Sequence, residues 1–134
     1  LSASINRLYN KKAFNFHLEE YSSYIDIETP DFNINDVKRI EKFSNSIVCS
    51  NFKVTNYDKS NTRLVDIDGI DITPCKGVHC SNTGEVGIIK IIECKKHGDS
   101  NTRIKFICGI RVLKKIDDLL EEIESLKQEL LTYK

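Results

Sequence analysis

Methionine is absent from the 134 residues, and so is any surplus of charge, with 20 basic side chains set against 20 acidic ones. The balance removes bulk basicity as an argument for a nucleic-acid partner, so charge has to be read locally. No apolar run approaches the ~20 residues that a bilayer span requires, and no basic-then-apolar signal segment is found. Internal repeats and low-complexity tracts are missing too, which excludes repeat architectures and linker-like segments. The five cysteines are odd in number and come without a signal segment, so reduced thiols and a cytoplasmic, non-membrane protein are expected. Leu1-Ser2-Ala3-Ser4 reads as the middle of a helix, and a fragment, or a chain lacking its first residues, is the expectation.

What is present suits one domain with a short helical appendage. At 40% hydrophobic and 30% charged residues the chain can bury a sizeable core, and wholesale disorder is excluded. Leu1, Ile5 and Leu8 form a short helical stripe. Ala13 to Leu18 alternates, with Phe14, Phe16 and Leu18 on one face and Asn15 and His17 on the other. Ser23 to Glu28 alternates as well, and the two predict an antiparallel pair that Thr29-Pro30 ends. Asn33 is a candidate N-cap with Asp36 in the first turn, and Ile34, Val37, Ile40, Phe43 and Ile47 follow at helical spacing to about Asn51. Short β-like runs come next, at Phe52–Thr55, Arg63–Ile67 and Ile70–Ile72. Beyond a glycine-punctuated loop from Pro74 to Gly87, Val86–Cys94 and Thr102–Cys108 read as strands joined through the turn-rich Lys96–Asn101. From Val112 the apolar residues step by four and three through Ile116, Leu119, Ile123, Leu126, Leu130 and Tyr133, an unbroken heptad seam. The expected fold is α+β, an antiparallel sheet packed with helices over residues 1–109, followed by a coiled-coil-like helix over 110–134. Such a seam should be covered, by its mate in a homodimer, by this body or by another domain.

Charge is unevenly placed. Residues 86–115 hold eight basic and two acidic groups, and residues 116–134 hold two and six. The hairpin carrying Lys90, Lys95, Lys96, Arg103 and Lys105 is a candidate for contact with phosphates. Lysines that protect a solvated sheet edge would give the same pattern.

The chemistry is concentrated in Thr73-Pro74-Cys75-Lys76-Gly77-Val78-His79-Cys80. Cys75 and His79 stand four apart, a spacing at which thiolate and imidazole can share a soft cation such as zinc. Gly77 between them permits a tight turn, and Cys80 is a competing ligand. A closed zinc site takes four ligands and an open catalytic one three, so this pair alone is incomplete.

Gly69-Ile70-Asp71-Ile72-Thr73-Pro74-Cys75-Lys76-Gly77-Val78-His79, with Asn82-Thr83-Gly84-Glu85-Val86-Gly87 and the strand Ile88–Ile91, resembles the second half of the alanyl-tRNA synthetase editing domain. Free-standing AlaX-type editing proteins and the related domain of threonyl-tRNA synthetase share it. Phe14–Ile27 and Thr102–Gly109 look like that family's early hairpin and closing strand, so the resemblance covers roughly residues 1–109. It implies a zinc ion held by Cys75, His79 and an H-x3-H pair that would lie just before Leu1. It implies hydrolysis of the ester of misacylated tRNA, seryl- or glycyl-tRNA(Ala), by a trans-editing protein or a synthetase, with the tRNA acceptor end as partner. The family's usual threonine before the loop histidine is Val78 here. A non-catalytic tRNA-binding or dimerisation module is the rival expectation.

Other residues carry two readings each. His17 is a pocket residue or an ordinary half-exposed histidine, and Asp71 is a partner for a ligand or for the loop. With Gly77 these are the candidate substrate-binding residues. Lys90, Lys95, Lys96 and Arg103 are the candidate tRNA contacts, Arg103 alternatively pairing with an acid such as Glu85. His97 is expected in solvent, Asp66 and Asp68 suit either acid–base work or turn chemistry, and Cys49, Cys94 and Cys108 are expected as core thiols.

Overall fold

A computed structural model describes residues 1–133. In chain order the elements are α1 (Ser2–Tyr9), β1 (Ala13–Leu18), β2 (Ser23–Ile27), α2 (Ile34–Ser50), β3 (Val54–Lys59), β4 (Thr62–Ile67) and β5 (Asp71–Pro74). A 3-10 turn at Thr83–Val86 leads into β6 (Ile89–His97), β7 (Asn101–Cys108) and α3 (Ile110–Thr132). The mixed α+β class is as expected, but the strands divide into two antiparallel sheets, β1-β2-β7-β6 and β3-β4-β5.

The larger sheet is covered on one face by α1 and α2. Strand alternation turns Ile25, Ile27, Ile91 and Ile104 toward the helices, where they meet Ile5 of α1 and Val37 and Ile40 of α2. Ile5, Ile27, Ile40 and Ile104 are fully buried, and β-branched side chains on a sheet facing helical isoleucines make a tight interlayer seam. Burying each is worth roughly 1.5–3 kcal/mol. Helix α2 begins where the capping residues place it. The Asn33 carboxamide accepts from the Asn35 and Asp36 amides at 2.9 and 3.1 Å, and Asp36 accepts from the Asn33 amide at 3.0 Å. The same helix closes the outer edge of β6. Its Glu41 accepts from the Ile91 amide at 2.8 Å, and its Asn45 both accepts from the Ile89 amide and donates to the Ile89 carbonyl, at 2.8 and 2.9 Å. Side chains thus stand where a neighbouring strand would bond.

Several local expectations are corrected. The simple alternation of β1 is broken by a bulge, with Asn15 and Phe16 opposing Ile25 alone and Asn15 at φ 53°. The bulge puts Phe14 and His17 on one face, and Phe14 and Phe16 are exposed. The β3 strand starts at Val54 and runs on to Lys59, because Ser60 and Asn61, both at positive φ, make the hairpin turn to β4. The β6–β7 connection is shorter than expected, since His97 and Asn101 are themselves paired. Cys49 is exposed on α2 and not a core thiol, while Cys94 is half-buried against the main core and Cys108 is half-buried at the end of β7. Helix α3 buries only Val112, and the rest of its seam is exposed. Among the described residues no helix is long and apolar enough to cross a membrane.

Replacing Asn33 with Ala should cost about 1 kcal/mol through loss of the capping box, read as a lowered urea midpoint at unchanged slope. A wild-type midpoint would show that packing alone sets the start of α2.

Candidate functional site

The Cys75–His79 segment leaves the smaller sheet at β5 and is clamped at both ends. At its start the Cys75 amide donates to the Arg63 carbonyl at 3.1 Å. At its end the Val54 amide donates to the Ser81 carbonyl at 2.8 Å, and Lys53 and Asn82 form an isolated bridge. The 3-10 turn that follows is tied to the C-terminus of α2. Thr83 Oγ1 donates to the Ile47 carbonyl at 2.7 Å and accepts from the Phe52 amide at 2.9 Å. A Cβ at Gly84 would lie 2.4 Å from Asn51 Oδ1, the atom that accepts from the Gly84 amide at 3.1 Å, so a side chain there would displace Asn51 from that bond.

Between those clamps, Cys75 and His79 point to one place. A methyl group on Gly77 would lie 3.7 Å from Cys75 Sγ and 4.0 Å from His79 Nε2. Gly77 is not among the glycines at positive φ, so it serves by leaving open the space in front of both donors, not by an unusual turn. His79 Nε2 is buried and has no hydrogen-bond partner. A buried imidazole nitrogen without a partner carries a desolvation cost that a ligand would relieve. A thiolate and an imidazole are a zinc-type donor set, but among the described residues no group of three or more potential ligands is assembled. Val78 is fully exposed. Burial, and then the charge of Glu85, push the Cys80 thiol up, favouring its neutral form.

Asp71 lies at the start of β5, where its carboxylate accepts from the Thr73 hydroxyl. It lines an open depression of about 470 Å³ with Asp66, Gly69, Ile70 and Ile72. Leu1 is half-buried against the main core.

The other candidates lie elsewhere. His17 is on edge strand β1, stacked on Tyr24 with ring centroids 4.9 Å apart and paired with Glu19 at 3.1 Å. Lys90 pairs with Glu41 at 3.0 Å. Lys95 pairs with Glu93, and Lys96, exposed, lies on the other side of the β6 ribbon. Arg103 pairs not with Glu85 but with Asp26, through Nε at 2.8 Å and Nη2 at 3.0 Å. His97 is exposed as expected, with Nε2 3.0 Å from Arg103 Nη2. The Asp26 network escaped the sequence reading, because Asp26 and Arg103 stand 77 residues apart and only strand register makes them neighbours.

A family model described as the threonyl and alanyl tRNA synthetase second additional domain matches residues 62–105, which include Cys75 and His79. The chain is 30% identical to the alanyl-tRNA editing protein AlaX-L of Pyrococcus horikoshii over 142 aligned positions, 91% of this chain and 35% of that protein. It is 48% identical over 63 residues to the alanine–tRNA ligase of Ignicoccus hospitalis, 45% of this chain and 7% of the ligase. Against the corresponding ligase of Methanococcus maripaludis strain C5 it is 29% identical over 136 residues, 80% of this chain and 15% of the ligase. Residues 62–105 thus match that domain family, and over most of its length the chain is similar to an AlaX-type editing protein and to alanine–tRNA ligases. It spans about a third, or much less, of the curated relatives it matches.

The two hydrogen bonds from Arg103 hold the Asp26 carboxyl below its ordinary value, helped by Asn15 Nδ2 at 2.7 Å and opposed by burial. A carboxylate lowered on folding contributes stability that is complete above its unfolded value near 3.9 and is lost as pH falls through the folded value. The wild-type urea midpoint should therefore drop more between pH 6 and pH 3 than that of the double variant Asp26→Asn/Arg103→Met. Equal drops would remove this pair from the acid response.

Proposed function

We propose that the chain is an aminoacyl-tRNA editing deacylase, hydrolysing the ester of misacylated tRNA, with seryl- and glycyl-tRNA(Ala) as the first substrates to test. The observation that carries the reading is the convergence of Cys75 Sγ and the unpartnered His79 Nε2 on the space before Gly77. It lies inside the segment that matches the threonyl and alanyl tRNA synthetase second additional domain. The name of AlaX-L, an alanyl-tRNA editing protein, supports the same activity.

Zinc is the cofactor these donors suit, and when bound it would supply a Lewis acid for the ester carbonyl or an activated water. Cys75 and His79 would hold it from the loop. The proposal needs further ligands, and an H-x3-H pair preceding Leu1 would supply them. The clamps on Arg63, Val54 and Thr83 fix the loop, so the donors are oriented before substrate arrives. The depression lined by Asp66, Gly69, Ile70, Asp71 and Ile72 is the candidate place for an aminoacyl group. Rejection of alanine would follow if buried polar groups there were left unpaired by a substrate lacking the serine hydroxyl. This chemistry belongs with cytoplasmic translation.

Cys75→Ala, in a form of the protein that includes the H-x3-H segment, should lose most of about one zinc per chain and most seryl-tRNA(Ala) hydrolysis. Unchanged zinc content would reject Cys75 as a ligand. The rival reading, a tRNA-binding or dimerisation module, is favoured by α3, whose seam from Ile116 to Leu130 is exposed along its length. We propose that this seam pairs two chains. Ile at positions 116 and 123 and Leu at 119 and 126 are the alternation that two-stranded coiled coils prefer. Ile123→Glu should shift the chain from dimer to monomer in sedimentation, and a wild-type sedimentation profile would assign the seam to another partner.

A further inference from the structure

The fold treats the two edges of the larger sheet differently. At β6 the side chains of Glu41 and Asn45 occupy backbone groups that a further strand would use. At the other edge β1 pairs with β2 alone among the described residues, and from Phe14 to Leu18 every residue is exposed. Phe16 is 59% exposed and Leu18 83%. An open edge with apolar side chains invites another strand, and proteins ordinarily guard it with charges along its length. Here the charges stand at the two ends and differ in sign. Exposed Lys11 and Lys12 lead into β1, and exposed Glu19 and Glu20 follow it.

That order of charges is self-complementary. A second copy laid antiparallel along β1, about a twofold axis between Asn15 and Phe16, brings Lys11 opposite Glu20 and Lys12 opposite Glu19. In the same register Phe14 meets His17 and Ala13 meets Leu18. Parallel pairing would set lysines against lysines and glutamates against glutamates. The β1 bulge decides whether the antiparallel register is possible. Residues opposite one another must share a face, and in a regular strand residues an odd number of positions apart never do. Lys12 and Glu19 are such a pair, as are Phe14 and His17. The extra residue of the bulge inverts the alternation between them. Phe14 opposes Asp26 and His17 opposes Tyr24, so both stand on one face. Glu19 continues that face, with Oε1 3.1 Å from His17 Nε2. The bulge thus matches the register that the charges favour.

We propose that β1 is a docking edge for β1 of a second copy of this chain, joining the four strands of each larger sheet into one continuous sheet. Six strand residues from each chain make a small interface, so the association is weak and depends on concentration. The contact lies on a different element from the α3 seam, and it does not depend on the editing reading.

The test uses the full chain carrying Ile123→Glu, which silences the α3 seam, followed by sedimentation equilibrium over a range of protein concentrations. This background should be monomeric when dilute, and its mean mass should rise toward dimer as concentration increases. Two charge reversals are then added separately, Lys11→Glu/Lys12→Glu and Glu19→Lys/Glu20→Lys. All four side chains are exposed, and circular dichroism checks that the fold is kept. Each reversal should weaken self-association roughly tenfold or more, since like charges then meet at both ends of the pairing. An equimolar mixture of the two should regain the association of the background, because each strand end again meets its opposite. A background that stays monomeric at every concentration would overturn the proposal and assign the edge to another occupant. So would reversed variants that associate as the background does, or a mixture that associates no better than its components.

Discussion

Helix α2 is pressed onto the larger sheet through Ile40, which is fully buried against an isoleucine layer that includes Ile27 and Ile104. Once that contact is made, little else in the body is free to move. Glu41 and Asn45, one and five positions further along the helix, reach the backbone of β6 and close its edge. At the end of α2, the Ile47 carbonyl and Asn51 Oδ1 hold the 3-10 turn, and through it the last residues of the Cys75–His79 loop. The candidate metal donors belong to the smaller sheet, yet their position follows from packing in the larger one.

This division of labour explains how a loop with an exposed middle can present two donors together. Lys76, Gly77 and Val78 are open to solvent, while the residues on either side are tied by backbone hydrogen bonds. Rigid ends and an empty centre, with no Cβ on Gly77 to fill it, leave Cys75 and His79 facing common space. The cost is one buried nitrogen without a partner, and that imbalance is what sets the loop apart from an ordinary connection.

The faces of the larger sheet differ by the same logic. The helix side is lined mainly by isoleucines, with Cys94 and Phe106 packed beside them, whereas the opposite side carries Asp26 buried beneath Arg103. A bidentate Asp26–Arg103 pair, supported by Asn15, is a costly thing to hold on a sheet surface if it served only to join strands already joined by a backbone ladder. Helix α3 stands apart from both, attached through Val112 and otherwise unpacked against the body.

The chain by itself determined the class of fold, the N-cap at Asn33, the heptad period of α3 and the Cys75–His79 pair, because each is written in residues a few positions apart and depends on local geometry. It also carried the family resemblance, through the long motif around that pair. Tertiary structure decided what depends on register and on distance in sequence. The bulge at Asn15 moved His17 and Phe14 to one face, which simple alternation could not foresee since one extra residue inverts every side chain beyond it. The pairing of β2 with β7, the bond between Arg103 and Asp26 and the closing of β6 by α2 side chains all join residues more than forty positions apart. No local period encodes such neighbours; the packing of the isoleucine layer selects them.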